Sequence, residues 1–422
     1  MMDGLNSVAS AYSPPFRIVA KYFVATIISF VILNLMLVLN YLDISGHHFQ
    51  PKILSITHIA TLGFITMIIF GAMFQLVPVV LEVKLFSIIL AEIQFWIFSA
   101  GVVLLVYKFW NFGSGLSFTL PAILLNIAML IFSINIIASM VKVKSWNITG
   151  TYLASSIFWL LTTAVAGLLL SINLDTPFIK ISHLQYLKLH VITAFVGWVA
   201  MVVMGVSFKL IPMFILSHDY KLNLAKWAVI LINIGLLGVN WIMHYPDTEF
   251  YNTFFGSLIF IGMLLYLVQI TIVFKKRIRK KPDIGLKFTS VALIILSITA
   301  VLNFSFLFFN YENVINLTLV YGIIFLIGFA SMLIIGQMYK IVPFLVWYHK
   351  YSSKVGIEKV PMLKDMFNET LAEYQFYLMI SGLIISVIAL SFQIQILLLT
   401  GFSILFISSI IFALNMIKIF RS

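Results

Sequence analysis

Apolar residues in this chain come in runs of about 20 to 30, broken by short polar intervals, rather than in the alternation of a half-buried strand or a water-facing helix. Twelve such runs stand out, at 22–41, 55–81, 85–107, 116–140, 150–172, 188–216, 224–243, 251–274, 288–309, 317–347, 372–391 and 395–418. About 20 apolar residues in an α-helix cross ~30 Å of hydrocarbon, so the pattern predicts an all-α polytopic membrane protein with twelve spans. The intervals are too short for an appended soluble domain, and residues 1–422 read as one membrane domain. The longest interval, Tyr348 to Glu373, is expected to hold a short interfacial helix.

Composition agrees: 62% of residues are hydrophobic and 9% charged, against about 25% charged in a soluble domain. The lipid bilayer is therefore the principal partner. Cysteine is absent, which removes disulfides, iron–sulfur clusters, thiolate-ligated haem and covalent haem attachment. Any metal must rest on His, Met, Tyr, carboxylate or backbone.

The net charge of +12 sets topology, and no nucleic-acid partner is expected. If both termini are cytoplasmic, 22 of the 26 basic residues fall on the cytoplasmic side, including the run 275–281, and only Lys52, Lys108, Lys180 and Lys188 fall outside. An odd number of spans would spoil that separation. Met1 to Phe23 lacks an apolar core followed by a small-residue cleavage site, so the first run is expected to remain as a helix. Localisation in a membrane of the bacterial inner-membrane type follows.

Three spans share a pattern that ends on proline: Gly63-x3-Met67-x3-Gly71-x2-Phe74-Gln75-Leu76-Val77-Pro78, Gly197-x3-Met201-x3-Gly205-x2-Phe208-Lys209-Leu210-Ile211-Pro212, and Gly328-x3-Met332-x3-Gly336-x2-Tyr339-Lys340-Ile341-Val342-Pro343. They are spans two, six and ten, with prolines 134 and 131 residues apart. This spacing implies three pseudo-symmetric four-helix repeats, at about 15–144, 145–280 and 281–422. On a regular helix Gly63, Met67, Gly71, Phe74 and Pro78 share an arc of about 80°. Small residues on one face let membrane helices approach closely. Met67, Met201 and Met332 are either gap-fillers or three thioethers at one depth that hold a soft cation such as Cu(I).

Ionisable residues inside a span are costly and mark candidate sites. His47, His48, His183 and His244 read as outer loops or helix ends, and His218 and His349 as cytoplasmic. Only His58 and His190 fall within spans, near the outer ends of two and six. His58 lies 20 residues before its proline and His190 lies 22 before its own, where repeat three has Tyr321. Two residues rotate the two azimuths apart by about 160°. The pair then either faces one pore between spans two and six or points into separate pores, and a structural reading has both rings bonded to carbonyls or water. Glu92, inside span three, is a proton-path candidate or a neutral carboxyl bonded to a neighbour. Lys209 and Lys340 are placed to snorkel to the inner surface.

Twelve spans in three groups of four, with histidines near the outer ends of spans two and six, resemble subunit I of the haem-copper oxidases. Thr57-His58-Ile59-Ala60-Thr61-Leu62-Gly63-Phe64 and Gly71-Ala72-Met73-Phe74-Gln75-Leu76-Val77-Pro78 also resemble oxidase-subunit-I-like proteins and the NnrS family, which is linked to nitric oxide metabolism. The resemblance implies a cytochrome oxidase subunit I-like fold with haem, with or without copper, and a quinol or cytochrome donor or an oxidase-like partner subunit. His58 matches the haem ligand on helix two, and His190 roughly matches the copper ligand on helix six. The chain departs from that family elsewhere: span six lacks a His-Pro-Glu-Val-Tyr type sequence, span seven has no paired histidines and span ten has none.

Three functional classes therefore stand side by side. The first is a haem or haem-copper protein with a reduced ligand set, in electron transfer or in nitric oxide or oxygen metabolism. As an enzyme it would be an oxidoreductase of the haem-copper oxidase type, and catalysis itself is left open. The second is a cofactor-free three-repeat transporter or proton channel using Glu92, Gln75, Lys209 and Lys340. The third is a non-catalytic accessory or assembly subunit. His58 and His190 are the cofactor and metal candidates, followed by Met67, Met201, Met332 and Tyr321.

Overall fold

The computed structural model describes residues 12–44, 47–179, 182–242, 249–309 and 316–422. Among them, twelve helices are long and apolar enough to cross a bilayer: α1 Phe16–Leu39, α2 Pro51–Leu81, α3 Ile88–Trp110, α4 Thr119–Met140, α5 Ile148–Asp175, α6 His183–Ile215, α7 Asn223–Ile242, α8 Glu249–Lys275, α9 Ile284–Ser305, α10 Leu317–Lys354, α11 Glu369–Phe392 and α12 Gln395–Arg421. The chain is a multi-pass, all-α membrane protein. His244 and Lys180 lie outside the described residues. Consecutive helices pack side by side, and α12 closes against α1. The face at which α1 begins and α12 ends is termed the terminal face, and the opposite one the far face.

Local sequence explains where helices begin. At the terminal face Ser87, Asn147, Asp283 and Asn368 cap α3, α5, α9 and α11 by accepting a hydrogen bond from the backbone N–H three residues on, which satisfies one of the first-turn donors. Helices α2 and α6 end three residues past their motif proline, and the next residues, Glu82 and Leu216, turn left-handed at φ 54° and 53°. The third motif helix runs on through its proline instead. No extended interfacial helix forms after it. Single turns at Ser352–Lys354 and Leu363–Met366 occupy that interval, and the Trp347 indole donates to Pro361 O at 2.7 Å, folding the segment back on itself.

Helices α2, α6 and α10 are not regular throughout. Each opens into a π-helical stretch, Ile59–Thr66, Thr193–Ala200 and Ile324–Ser331, and each stretch ends immediately before the motif methionine. A π-turn inserts one residue and re-phases the two halves of a helix, so the far-face halves are rotated relative to the glycine face. The three stretches touch one another: Trp198 Nε1 donates to Thr66 Oγ1 at 3.3 Å, Phe195 packs on Phe325 with centroids 4.6 Å apart, and the stretches of α2 and α10 are also in contact. The helices that carry the motif are thus the central ones.

The same glycine contact recurs in each group of four. A Cβ built on Gly71 would lie 2.6 Å from Tyr22 Cβ of α1, one on Gly205 2.6 Å from Tyr152 Cβ of α5, and one on Gly336 2.8 Å from Phe288 Cβ of α9. Two turns toward the far face, Gly63, Gly197 and Gly328 meet Ser29, Trp159 and Ile295, each seven residues after its aromatic. The small residues therefore act as expected, letting each central helix dock on the helix that precedes it in the chain. Tyr22 and Tyr152 then donate to the carbonyls of Ala91 and Ala225, both at 2.8 Å. In the third group the hydroxyl has moved across the contact, and Tyr339 of α10 donates to Gln375 Oε1 at 2.6 Å.

Glu92 and Lys340, two charged residues within spans, are both paired. Glu92 forms an ion pair with Lys21 of α1 on a partly exposed flank of α3. Lys209 is exposed, as snorkelling requires. Lys340 does not snorkel: its ammonium lies 2.5 Å from Asp283 Oδ2 and 4.8 Å from the Phe214 ring centroid, with its side chain only 16% exposed. Asp283 also accepts from Leu286 N at 3.1 Å and pairs with Arg279 at 3.2 Å. Replacing Asp283 by Ala should cost about 1–3 kcal/mol by removing a cap and stranding a half-buried cation. A lower melting temperature for Asp283→Ala than for Glu358→Ala, whose Lys354 partner is exposed, checks this.

Candidate functional site

The site is built from the far-face halves of α2 and α6. His58 is the last regular helical residue before the π-stretch of α2, and His190 lies three residues before that of α6. Buried Ile53, Leu54 and Ile56 hold the far-face turns of α2 in the bundle, whereas no residue of His183–Ile192 in α6 is buried, and both histidines are only half-buried. Eight residues on from each histidine the two helices are joined by the Trp198–Thr66 hydrogen bond, so both imidazoles stand at the far-face end of one pair of neighbouring helices.

The flanks they occupy explain the approach. His58 stacks on Phe109 of α3, with centroids 4.7 Å apart and planes 26° apart. His190 faces α5, where its Cε1 lies 3.0 Å from the point a Gly167 Cβ would take. Helices α3 and α5 border the same gap between α2 and α6, with α4 between them. The two rings are thus turned toward α3 and α5, flanks that leave one shared site between α2 and α6 open to them. Toward the terminal face the gap is closed by aromatic rings, with Phe70 and Phe132 at 4.1 Å and Trp198 at 5.8 Å from Phe70.

Hydrogen bonding fixes the tautomer of both rings. His58 Nδ1 is 2.7 Å from Leu54 O and His190 Nδ1 is 3.1 Å from Thr163 O. A carbonyl can only accept, so each Nδ1 carries the proton and donates it. In the neutral imidazole this leaves the Nε2 lone pair as the free acceptor. A metal-binding histidine is ordinarily oriented in this way, through its other nitrogen.

Among the described residues no group of three or more His, Cys, Asp or Glu gathers here or elsewhere. Two imidazoles form an incomplete set for a bare copper ion, whereas haem brings four nitrogens of its own and needs only axial ligands. The donor set fits haem better than copper. Gly322, beside Tyr321 on α10, has nothing within 4 Å of where its Cβ would lie, so the far-face end of that central helix borders open space.

The remaining candidates are placed elsewhere. Tyr321 occupies the position equivalent to His190, and its hydroxyl accepts from Asn303 Nδ2 of α9 at 3.2 Å. Met67, Met201 and Met332 are buried at 3%, 0% and 0% exposure, but they do not line the space between the three central helices. Each stands one turn from a docking glycine and shares its outward side, so Met73 and Met338 reach the centre instead. Glu92, paired with Lys21, is far from the histidines at the opposite end of the bundle. Gln75 Nε2 donates to Ser13 Oγ at 2.7 Å.

Gly167 has no counterpart in the sequence reading, because only the fold brings it against His190. A Cβ there presses on the ring and asks it to give by a few tenths of an ångström, and a branched side chain asks for more. Gly167→Val is expected to perturb a cofactor spectrum as strongly as loss of His190 does, with Gly167→Ala milder. An unaltered spectrum in Gly167→Val would show that the position of His190 is immaterial. No protein-family model matches the chain, and comparison with curated proteins finds no relative.

Proposed function

We propose that this chain is an integral membrane haem protein of cytochrome oxidase subunit I type with a reduced ligand set, serving electron transfer or nitric oxide or oxygen metabolism. The observation that carries the reading is the pair of imidazoles from two central helices, each with Nδ1 bonded to a backbone carbonyl and Nε2 left free. His58 would hold the haem iron, and His190 would be the second ligand to the same haem or a ligand to a nearby copper. The group would supply one-electron chemistry. The chain's own part is to orient both rings through Leu54 and Thr163, and to close the gap toward the terminal face with Phe70, Phe132 and Trp198.

The wider fold belongs to the same proposal. The three π-stretches in one register and the threefold recurrence of the glycine contact favour three repeats around a pseudo-three-fold axis, at about 15–144, 145–280 and 281–422. The distribution of basic residues favours cytoplasmic termini, and hence a site near the outer surface, within reach of a quinol or a cytochrome donor. Purified protein, oxidised and then reduced with dithionite, tests the reading. A Soret band with sharp reduced bands is expected. A colourless protein from cells supplied with haem precursor would overturn it and return the cofactor-free transporter and accessory-subunit readings.

A further inference from the structure

A second site lies on the line where α2, α6 and α10 converge, between the π-stretches and the terminal face. A cavity of about 110 Å³ opens there. Its walls come from the same places on each central helix. Ala72, Val206 and Gln337 stand six residues before the motif prolines and Met73, Ser207 and Met338 five before, with aliphatic side chains a turn above and below. The cavity owes its room to Ala72, a methyl group where the other two helices place Val and Gln.

The three helices cannot easily collapse to fill it. On the outer side each is docked backbone-close through its glycine, and above the cavity each is braced by contacts between π-stretches. Ser207 and Tyr266 have committed their hydroxyl hydrogens, and Gln337 has committed one of its two amide hydrogens. Ser207 donates to Met204 O at 2.7 Å and accepts from the Tyr266 hydroxyl at 3.2 Å. Gln337 Nε2 donates to Thr289 Oγ1 at 2.9 Å, and Thr289 in turn donates to Gly285 O. Only Gln337 Oε1, itself shielded, has no protein donor. The accessible wall is hydrocarbon and thioether.

We infer that this central cavity is a binding site for one small non-polar molecule of the size of a diatomic gas or xenon. Water needs two to four polar partners, and an apolar void of about 150 Å³ stays dry yet takes benzene or xenon. The volume is below the ~300 Å³ at which sites for drug-sized ligands begin, which excludes a porphyrin or a whole lipid molecule. The inference does not rest on haem. The nearest wall residues stand ten positions closer to their prolines than His58 does, roughly 15 Å along the helix.

Xenon is the probe. The expected result is a single xenon peak between Ala72, Val206 and Gln337 in xenon-pressurised crystals, present equally in a His58→Ala protein and absent from Ala72→Phe, whose side chain fills the space. Ala72→Leu, with reduced occupancy, serves should the larger variant not fold. No xenon at this position, an ordered water bonded to Gln337 Oε1, or a hydrocarbon chain in the cavity would each overturn the inference.

Discussion

Replacing His58 by Ala is expected to abolish the haem spectrum or shift it markedly, while the protein still folds and inserts. The half-buried ring contributes one stacking contact with Phe109 and one hydrogen bond within its own helix, so its loss should cost the fold only about 1–3 kcal/mol. On the proposed reading its loss would also remove an iron–nitrogen bond. His190→Ala should act differently. If both rings ligate one haem, the spectrum changes from six-coordinate to five-coordinate; if His190 holds copper, metal analysis loses copper and the haem bands stay. The two variants together therefore separate one bis-imidazole site from a mixed one. If both leave spectrum and metal content unaltered, the site is elsewhere, and Tyr321 becomes the next position to test.

The largest effect on folding is expected at the glycines. A Cβ on Gly336 would lie 2.6 Å from Gly285 O and 2.8 Å from Phe288 Cβ, and a backbone carbonyl held within α9 cannot swing aside. Gly336→Leu should cost more than the ~1–3 kcal/mol typical of an overpacked core and sharply reduce the yield of folded protein. Gly71→Leu and Gly205→Leu meet the Cβ of Tyr22 and Tyr152 at 2.6 Å, the stem of each side chain and therefore the part that moves least. Gly115→Leu is the control: nothing lies within 4 Å of its Cβ position, and a change within about 0.5 kcal/mol is expected. Equal stability for all four variants would remove the packing account.

Much of this protein is legible one helix at a time. Twelve spans can be counted because the bilayer imposes a length and a composition on each crossing separately, and the described helices match all twelve runs with ends moved by up to seven residues. The glycine faces are legible for a similar reason: a small residue at a fixed spacing is a local statement that something must come close. What comes close is not. Tyr22, Tyr152 and Phe288 are ordinary aromatic residues in the sequence, some fifty positions from the glycines they cover, and nothing local marks them.

The π-stretches were hidden because Ile59–Thr66 or Ile324–Ser331 has the composition of any apolar helix, and a shift from one backbone acceptor to the next leaves no residue signature. That shift in turn governs which way the far-face halves point. The charged residues show the same divide. Lys340 close to the inner surface reads as a snorkelling side chain until the fold supplies Asp283, 57 positions away, and Glu92 reads as a lone carboxyl until α1 brings Lys21 beside it.

By itself the sequence determined the solvent, the number of crossings, the three helices that carry the shared motif, and the two histidines that enter the membrane, since each follows from the cost of placing one residue or one helix in hydrocarbon. Only the tertiary structure decided that His58 turns to α3 and His190 to α5, that Gly167 makes room for the latter, that Met73 and Met338 rather than Met67 and Met332 face the centre, and that a void remains there. Those outcomes depend on how helices distant in sequence are rotated and spaced against each other, and a cavity in particular is a difference between the room that three helices enclose and the volume their side chains fill.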